Sequence, residues 1–295
     1  MKRVFLFLAV NFLVVVTISL AINLLGLKPW LTASGLNYMS LLVFCALFGF
    51  GGSFISLQLS RWMAKTAMGV HLIDPKRPGG EAEAFLVEKV RALSTQAGIE
   101  VLPEIGIYDS PEVNAFATGP SKNRALVAVS TGLLDRMDST AVEGVLGHEI
   151  SHVANGDMVT LTLIQGVLNT FVIFLARIIG SLVDGALRGN RDDDSGGGIG
   201  YFITVTVMQL LLGFLASLIV MWFSRWREFR ADAGGASLAG RQKMISALER
   251  LSAGHGENSL PQAVAAFGIS GHFGKLLASH PPIEERIAAL RAAQG

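Results

Sequence analysis

Long apolar runs alternate with polar stretches that carry shorter, periodic apolar positions. Four runs approach the roughly 20 apolar residues that a helix needs to cross a bilayer. They are Val4 to Leu25, Leu36 to Leu59, Met158 to Val183 and Ile199 to Phe223. The third is the least clean, because Gln165, Asn169 and Arg177 interrupt it. The polar stretches follow a different rule. Leu86, Val90, Leu93 and Ala97 recur at helical spacing and stop at Gly98, which predicts an amphipathic helix. Ile105 and Ile107 alternate after Pro103, and Leu126, Val127 and Val129 precede Ser130-Thr131-Gly132; both patterns predict strands. Asn114-Ala115-Phe116-Ala117 reads as a short strand or extended loop.

A helix is expected to open near Asp138-Ser139-Thr140, where Glu143 stands three residues after Thr140 in capping-box spacing. It carries Val142, Val145 and Leu146 and stops at Asn155-Gly156. Beyond the last apolar run, helices are expected over 225–238, 242–251 and 283–293, the last after Pro281-Pro282. The stretch Asp192 to Gly198 reads as a loop outside the membrane. Two apolar spans (1–59), a soluble segment (60–157), a hydrophobic hairpin (158–223) and a second soluble segment (224–295) therefore follow one another. The two soluble segments must build one domain between them.

Composition supports a membrane protein. Residues of the AVILMFWYC set make up 51% of the 295, and charged residues only 16%, against roughly 25% charged in soluble proteins. A net charge of +1 implies no nucleic-acid partner. One cysteine, Cys45, excludes an internal disulfide framework. The first run exceeds a usual signal-peptide core and lacks a small-residue cleavage site, so it is read as a retained anchor. Basic residues set the orientation. Lys2 and Arg3 precede the first run, Arg61, Lys65, Lys76 and Arg77 follow the second, and Arg225, Arg227 and Arg230 follow the fourth. Both termini and both soluble segments are thus expected on the cytoplasmic side. Arg177 lies within two turns of a span end, so it can reach outward to polar surroundings.

The chemistry is carried by His148-Glu149-Ile150-Ser151-His152. On a helix, residues four apart share a face, so the two imidazoles can hold one Zn²⁺. Glu149 lies about 100° round the helix and suits a general base for water that attacks a peptide carbonyl. A catalytic zinc site wants a third protein ligand. The best candidate is Glu228, which directly follows the hairpin and so returns to the side the chain left. Asp232, four residues on, can accept a ring N–H from a liganding histidine and fix its tautomer. A donor for the developing oxyanion is less constrained: Tyr108, His71, His255, His272 and His280 are all available. Arg286 is open either to a carboxylate near the site or to solvent.

Taken together, H-E-x-x-H, two hydrophobic spans, S-R-x-R-E-F-x-A-D, N-A-F-A at Asn114 to Ala117 and Ser279-His280-Pro281-Pro282 resemble one family. It is the HtpX-like branch of the membrane zinc metallopeptidases (M48), related to the Ste24-type CAAX proteases. The resemblance covers nearly the whole chain. It implies a multi-pass α-helical membrane protein with an α+β, gluzincin-like zincin domain on the cytoplasmic side of the bacterial inner membrane. It implies one Zn²⁺ held by His148, His152 and Glu228, with Glu149 as general base. It favours His280 as the oxyanion donor and a substrate-binding role for Asn114, Ala115, Phe116 and Ala117, paired to an extended peptide as an added strand. The substrates it implies are polypeptides, chiefly misfolded or damaged membrane proteins. Two other readings compete: a CAAX-type processing peptidase, and a non-catalytic scaffold with a structural zinc, which would have no use for Glu149.

Overall fold

The computed structural model describes residues 38–188, 199–254 and 280–293. The first apolar run and the loop at 192–198 lie outside them. Helix α1 covers Tyr38–Met68, followed by β1 (His71–Leu72), α2 (Glu81–Gln96), β2 (Glu104–Tyr108), β3 (Ala115–Thr118) and β4 (Leu126–Ser130). Then come α3 (Thr131–Arg136), α4 (Ser139–Asn155), α5 (Asp157–Arg188), α6 (Ile199–Ala239), α7 (Arg241–Gly254) and α8 (Ile283–Ala292). The described residues fall into two compact units. One draws on residues 38–56, 161–188 and 199–220, the other on 57–160, 221–254 and 280–293.

The first unit is helical. Helices α1, α5 and α6 are each long and apolar enough to cross a membrane. At a rise of about 1.5 Å per residue each exceeds the roughly 30 Å of a bilayer's hydrocarbon core. Phe54, Phe171, Phe202, Leu210 and Phe214 all stand exposed, as suits side chains that face lipid rather than water. Within the unit the backbones pack closely through small residues; a Cβ on Gly49 would lie 2.6 Å from the Thr170 backbone nitrogen. The Arg177 guanidinium lies 5.2 Å from the centroid of the Phe44 ring.

The second unit is mixed. Its sheet has the order β1-β2-β4-β3, with β2 parallel to β4 and the outer strands antiparallel to their neighbours. All five residues of β4 are buried, as a central strand requires. Its Val127 and Val129 join Ile105, Leu86, Val90, Leu93, Val142, Leu146 and Ile150 in one core beneath α2 and α4. Among the described residues, strand β3 pairs only with β4, in the register Ala115 with Val129 and Thr118 with Leu126. It is therefore an edge strand, offset by one residue from the expected 114–117.

One expectation about a helix end needs correction. The capping box at Thr140 does not form. Asp138 is the N-cap instead, accepting from the Ala141 N–H at 2.9 Å, and Glu143 binds Lys243 Nζ at 2.7 Å. A carboxylate placed ahead of the threonine outcompetes it for the free N–H groups. The fourth apolar run and the helix expected over 225–238 form one element. Helix α6 runs through 41 residues, because neither proline nor a positive-φ glycine interrupts it.

Helices α4 and α6 approach closely because glycines meet there. A Cβ on Gly235 would sit 2.9 Å from the His148 backbone nitrogen and 3.0 Å from Met244 Sδ. A Gly235→Val variant is therefore expected to force the two helices apart and destabilise the unit by about 1–3 kcal/mol, read as a lower thermal unfolding midpoint of the purified protein.

Candidate metal centre

Helix α4 presents His148 and His152 one turn apart, as the i, i+4 spacing dictates. Its apolar face (Val142, Leu146, Ile150, Val153) is buried in the core, and this fixes the direction of the imidazoles. Glycine at 235 lets α6 come near enough for Glu228 and Asp232, one turn apart, to reach them. Both carboxylates are almost fully buried.

The three groups converge. His148 Nε2 and His152 Nε2 are 3.1 Å apart. Glu228 Oε2 lies 3.5 Å from the first, and Glu228 Oε1 lies 3.3 Å from the second. Outside this triangle each ring nitrogen has its own acceptor. His148 Nδ1 donates to Asp232 Oδ1 at 2.9 Å, and His152 Nδ1 donates to Asp157 Oδ2 at 2.6 Å. With Nδ1–H engaged, each Nε2 turns its lone pair inward. Arg286, buried on α8, grips Asp232 with Nε at 2.7 Å and Nη2 at 2.6 Å, and its Nη1 lies 3.6 Å from Glu228 Oε2. His280 Nδ1 reaches the same Glu228 oxygen at 2.8 Å, while most of the imidazole is exposed.

Does this set fit a metal ion? Tetrahedral zinc, with bonds of about 2.0–2.1 Å, separates its ligands by about 3.3 Å. The two ring nitrogens, and each ring nitrogen with its nearer Glu228 oxygen, are spaced close to that distance, and His148, His152 and Glu228 are the group among the described residues able to hold an ion. Charge points the same way. Burial opposes a proton on His148, yet the hydrogen bonds to Asp232 and Glu228 outweigh it and push its pKa up to about 9. His152 is raised against the same burial, by Asp157 and Glu228. Burial also opposes charge on Glu228, but the surrounding imidazoles hold its carboxyl well below the usual range. The site is thus built to keep positive charge at its centre.

The remaining sequence candidates are placed as follows. Glu149 is half-buried on α4, one residue from His148. Asn114 precedes edge strand β3, and its backbone N–H donates to Ser130 Oγ at 3.1 Å. Ala115, Phe116 and Ala117 lie on that strand, half-buried. Tyr108 is buried in the sheet with its ring 5.6 Å from that of Phe116. His71 is exposed on β1, whereas His255 and His272 lie outside the described residues. Two members of the cluster were not assigned from sequence. Asp157 follows the helix stop, and its signal was its nearness to His152. Arg286 was left open between a carboxylate near the site and solvent, and it binds the carboxylate of Asp232.

The model of peptidase family M48 matches residues 81–294. Protease HtpX of Thioalkalivibrio sulfidiphilus is 58% identical over 300 residues, covering all of both chains. Protease HtpX of Xanthomonas oryzae pv. oryzae is 56% identical over 299 residues, covering all of this chain and 98% of the relative. The crystal structure of S. mikatae Ste24p shares the fold, with a TM-score of 0.60 at 18% identity. That likeness covers 93% of this chain and 64% of the Ste24p chain, just under two thirds of it. An H-E-x-x-H helix, a carboxylate brought from a second helix and full-length similarity to named proteases lead to one conclusion: the chain belongs to peptidase family M48.

Proposed function

We propose that the protein is a zinc-dependent endopeptidase of the bacterial inner membrane that hydrolyses peptide bonds in misfolded or damaged membrane proteins. The observation that carries this reading is the convergence of His148, His152 and Glu228, each oriented from behind by a further group. In this reading, the domain is assembled from segments 60–157 and 224–295, with the spans 1–59 and the hairpin 158–223 in the bilayer. The basic residues flanking the spans favour the cytoplasmic side for the termini and the site.

When bound, zinc would be held by His148, His152 and Glu228, polarising a carbonyl and bringing the pKa of water toward about 7. The other steps belong to the chain. Glu149, beside the ligands but not among them, takes the proton from the attacking water and returns it to the leaving amide nitrogen. His280, oriented by Glu228 through Nδ1, donates from Nε2–H to the developing oxyanion when both of its ring nitrogens carry hydrogen. Arg286 keeps Asp232 ionised and fixed, and Asp232 keeps His148 in its ligating tautomer. Edge strand β3, pinned at its start by Ser130, accepts an extended polypeptide through main-chain hydrogen bonds. Such pairing reads no particular side chain, which suits damaged substrates of varied sequence.

Glu149→Gln is expected to retain zinc while casein hydrolysis drops by at least about 100-fold; full activity in that variant ends the peptidase reading. Glu228→Ala is expected to lower zinc content well below one ion per chain by elemental analysis, and a full complement would place the third ligand elsewhere. A chelator is expected to abolish hydrolysis and added zinc to restore it. Since the metal-free His148 holds a proton below about pH 9, zinc uptake at pH 7 must expel it. Affinity is then expected to fall as pH falls, with about one proton released per ion. Calorimetric titration in buffers of different ionisation enthalpy measures the count, and zero release contradicts it.

A further inference from the structure

We infer that Asp157 is the positioning residue of the His152 ligand, and that it supplies the stronger of the two outer anionic contacts to the imidazole pair. The inference rests on the zinc reading above. The two outer carboxylates are built differently. Asp232 spends both oxygens on the Arg286 guanidinium, at 2.7 and 2.6 Å, while it also accepts from His148 at 2.9 Å. Much of its charge is therefore neutralised from behind. Asp157 accepts from His152 Nδ1 at the shorter distance of 2.6 Å. It is 3% exposed. A buried carboxylate held at so short a distance from a ring N–H directs its charge along that bond. The imidazole becomes a more basic, more tightly held ligand.

The local chain geometry serves this contact. Gly156 closes α4 in the left-handed region, with φ 67°, and the next residue, Asp157, opens α5. The turn costs glycine little and other residues more. It folds position 157 back toward a side chain five residues earlier, so the ligand and its anchor are separated by one sharp joint. Asp157 is also the point at which the metal-bearing helix passes into the apolar helix.

The test uses the full-length protein in detergent, in a Glu149→Gln background that prevents self-digestion, stripped of metal and titrated with zinc against a chromophoric chelator. Asp157→Asn keeps the shape and an acceptor oxygen but removes the charge. It is expected to raise the zinc dissociation constant about 10–100-fold, more than Asp232→Asn does, and to shift the visible bands of the cobalt(II)-loaded protein. The thermal midpoint of the metal-free protein is expected to fall less than that of the zinc-loaded protein, and Asp157→Glu to recover part of the affinity. A dissociation constant within about twofold of the parent overturns the inference, as does a larger loss from Asp232→Asn. A fall in the metal-free midpoint equal to that of the loaded protein also overturns it, because it makes Asp157 merely structural. His148→Ala separates the two readings. If it loses zinc while Asp157→Asn does not, the inference fails and the zinc site stands; if the parent itself binds no zinc, both fall.

Discussion

Three electron-pair donors cannot face one another inside a protein without something positive between them. Two imidazole nitrogens and a carboxylate meet here at 3.1–3.5 Å, in a region where Glu228 is 1% exposed. Burying such a group without a counter-charge costs several kcal/mol. The surrounding residues respond to that tension. Asp232 and Asp157 take the outer N–H groups, so the lone pairs are committed inward. Arg286 and His280 approach Glu228 from the sides. A closed set of four ligands would serve structure alone. In the proposed reading, three protein ligands leave a metal's fourth position open to water and substrate.

The means of assembly are modest. Helix α4 is anchored by its apolar face and needs no special device to aim two histidines. Helix α6 needs one, because its carboxylates have short side chains. Glycine at 235 lets its backbone pass within reach of His148. Helix α8 then adds Arg286 from the far end of the chain, while the Pro281-Pro282 pair ahead of it keeps His280 outside the helix. Family membership and geometry agree on what this assembly is for, and the edge position of β3 agrees with a polypeptide as the molecule it handles.

How much of this could be read from the chain depends on distance along it. His148 and His152 were legible because one helical turn brings them together whatever else happens. Glu228 was legible because a hairpin of two apolar runs must come back to its starting side, and Asp232 because it is one turn further. The strands at Ile105 and Leu126 followed from alternation and continuous apolar character. Other features were not local. That β3 lies at the edge depends on the parallel pairing of β2 with β4, to which no short pattern corresponds. Arg286 meets Asp232 across 54 positions, with nothing near it to decide between a carboxylate and solvent. Thr140 satisfied a capping pattern, but Asp138 was better placed to take the free N–H groups. The unbroken course of α6 agrees with a change at residue 224 in hydropathy but not in helix-forming tendency.

That unbroken course turns residue count into angle. Within a continuous helix one inserted residue advances all later positions by about 1.5 Å and rotates them by about 100°. Between the end of the apolar stretch at Phe223 and the carboxylate at Glu228 there is no loop to absorb such a change. A single insertion or deletion there would swing Glu228 and Asp232 away from α4 together, even though every individual side chain survived. Length in this stretch is therefore as strictly constrained as residue identity.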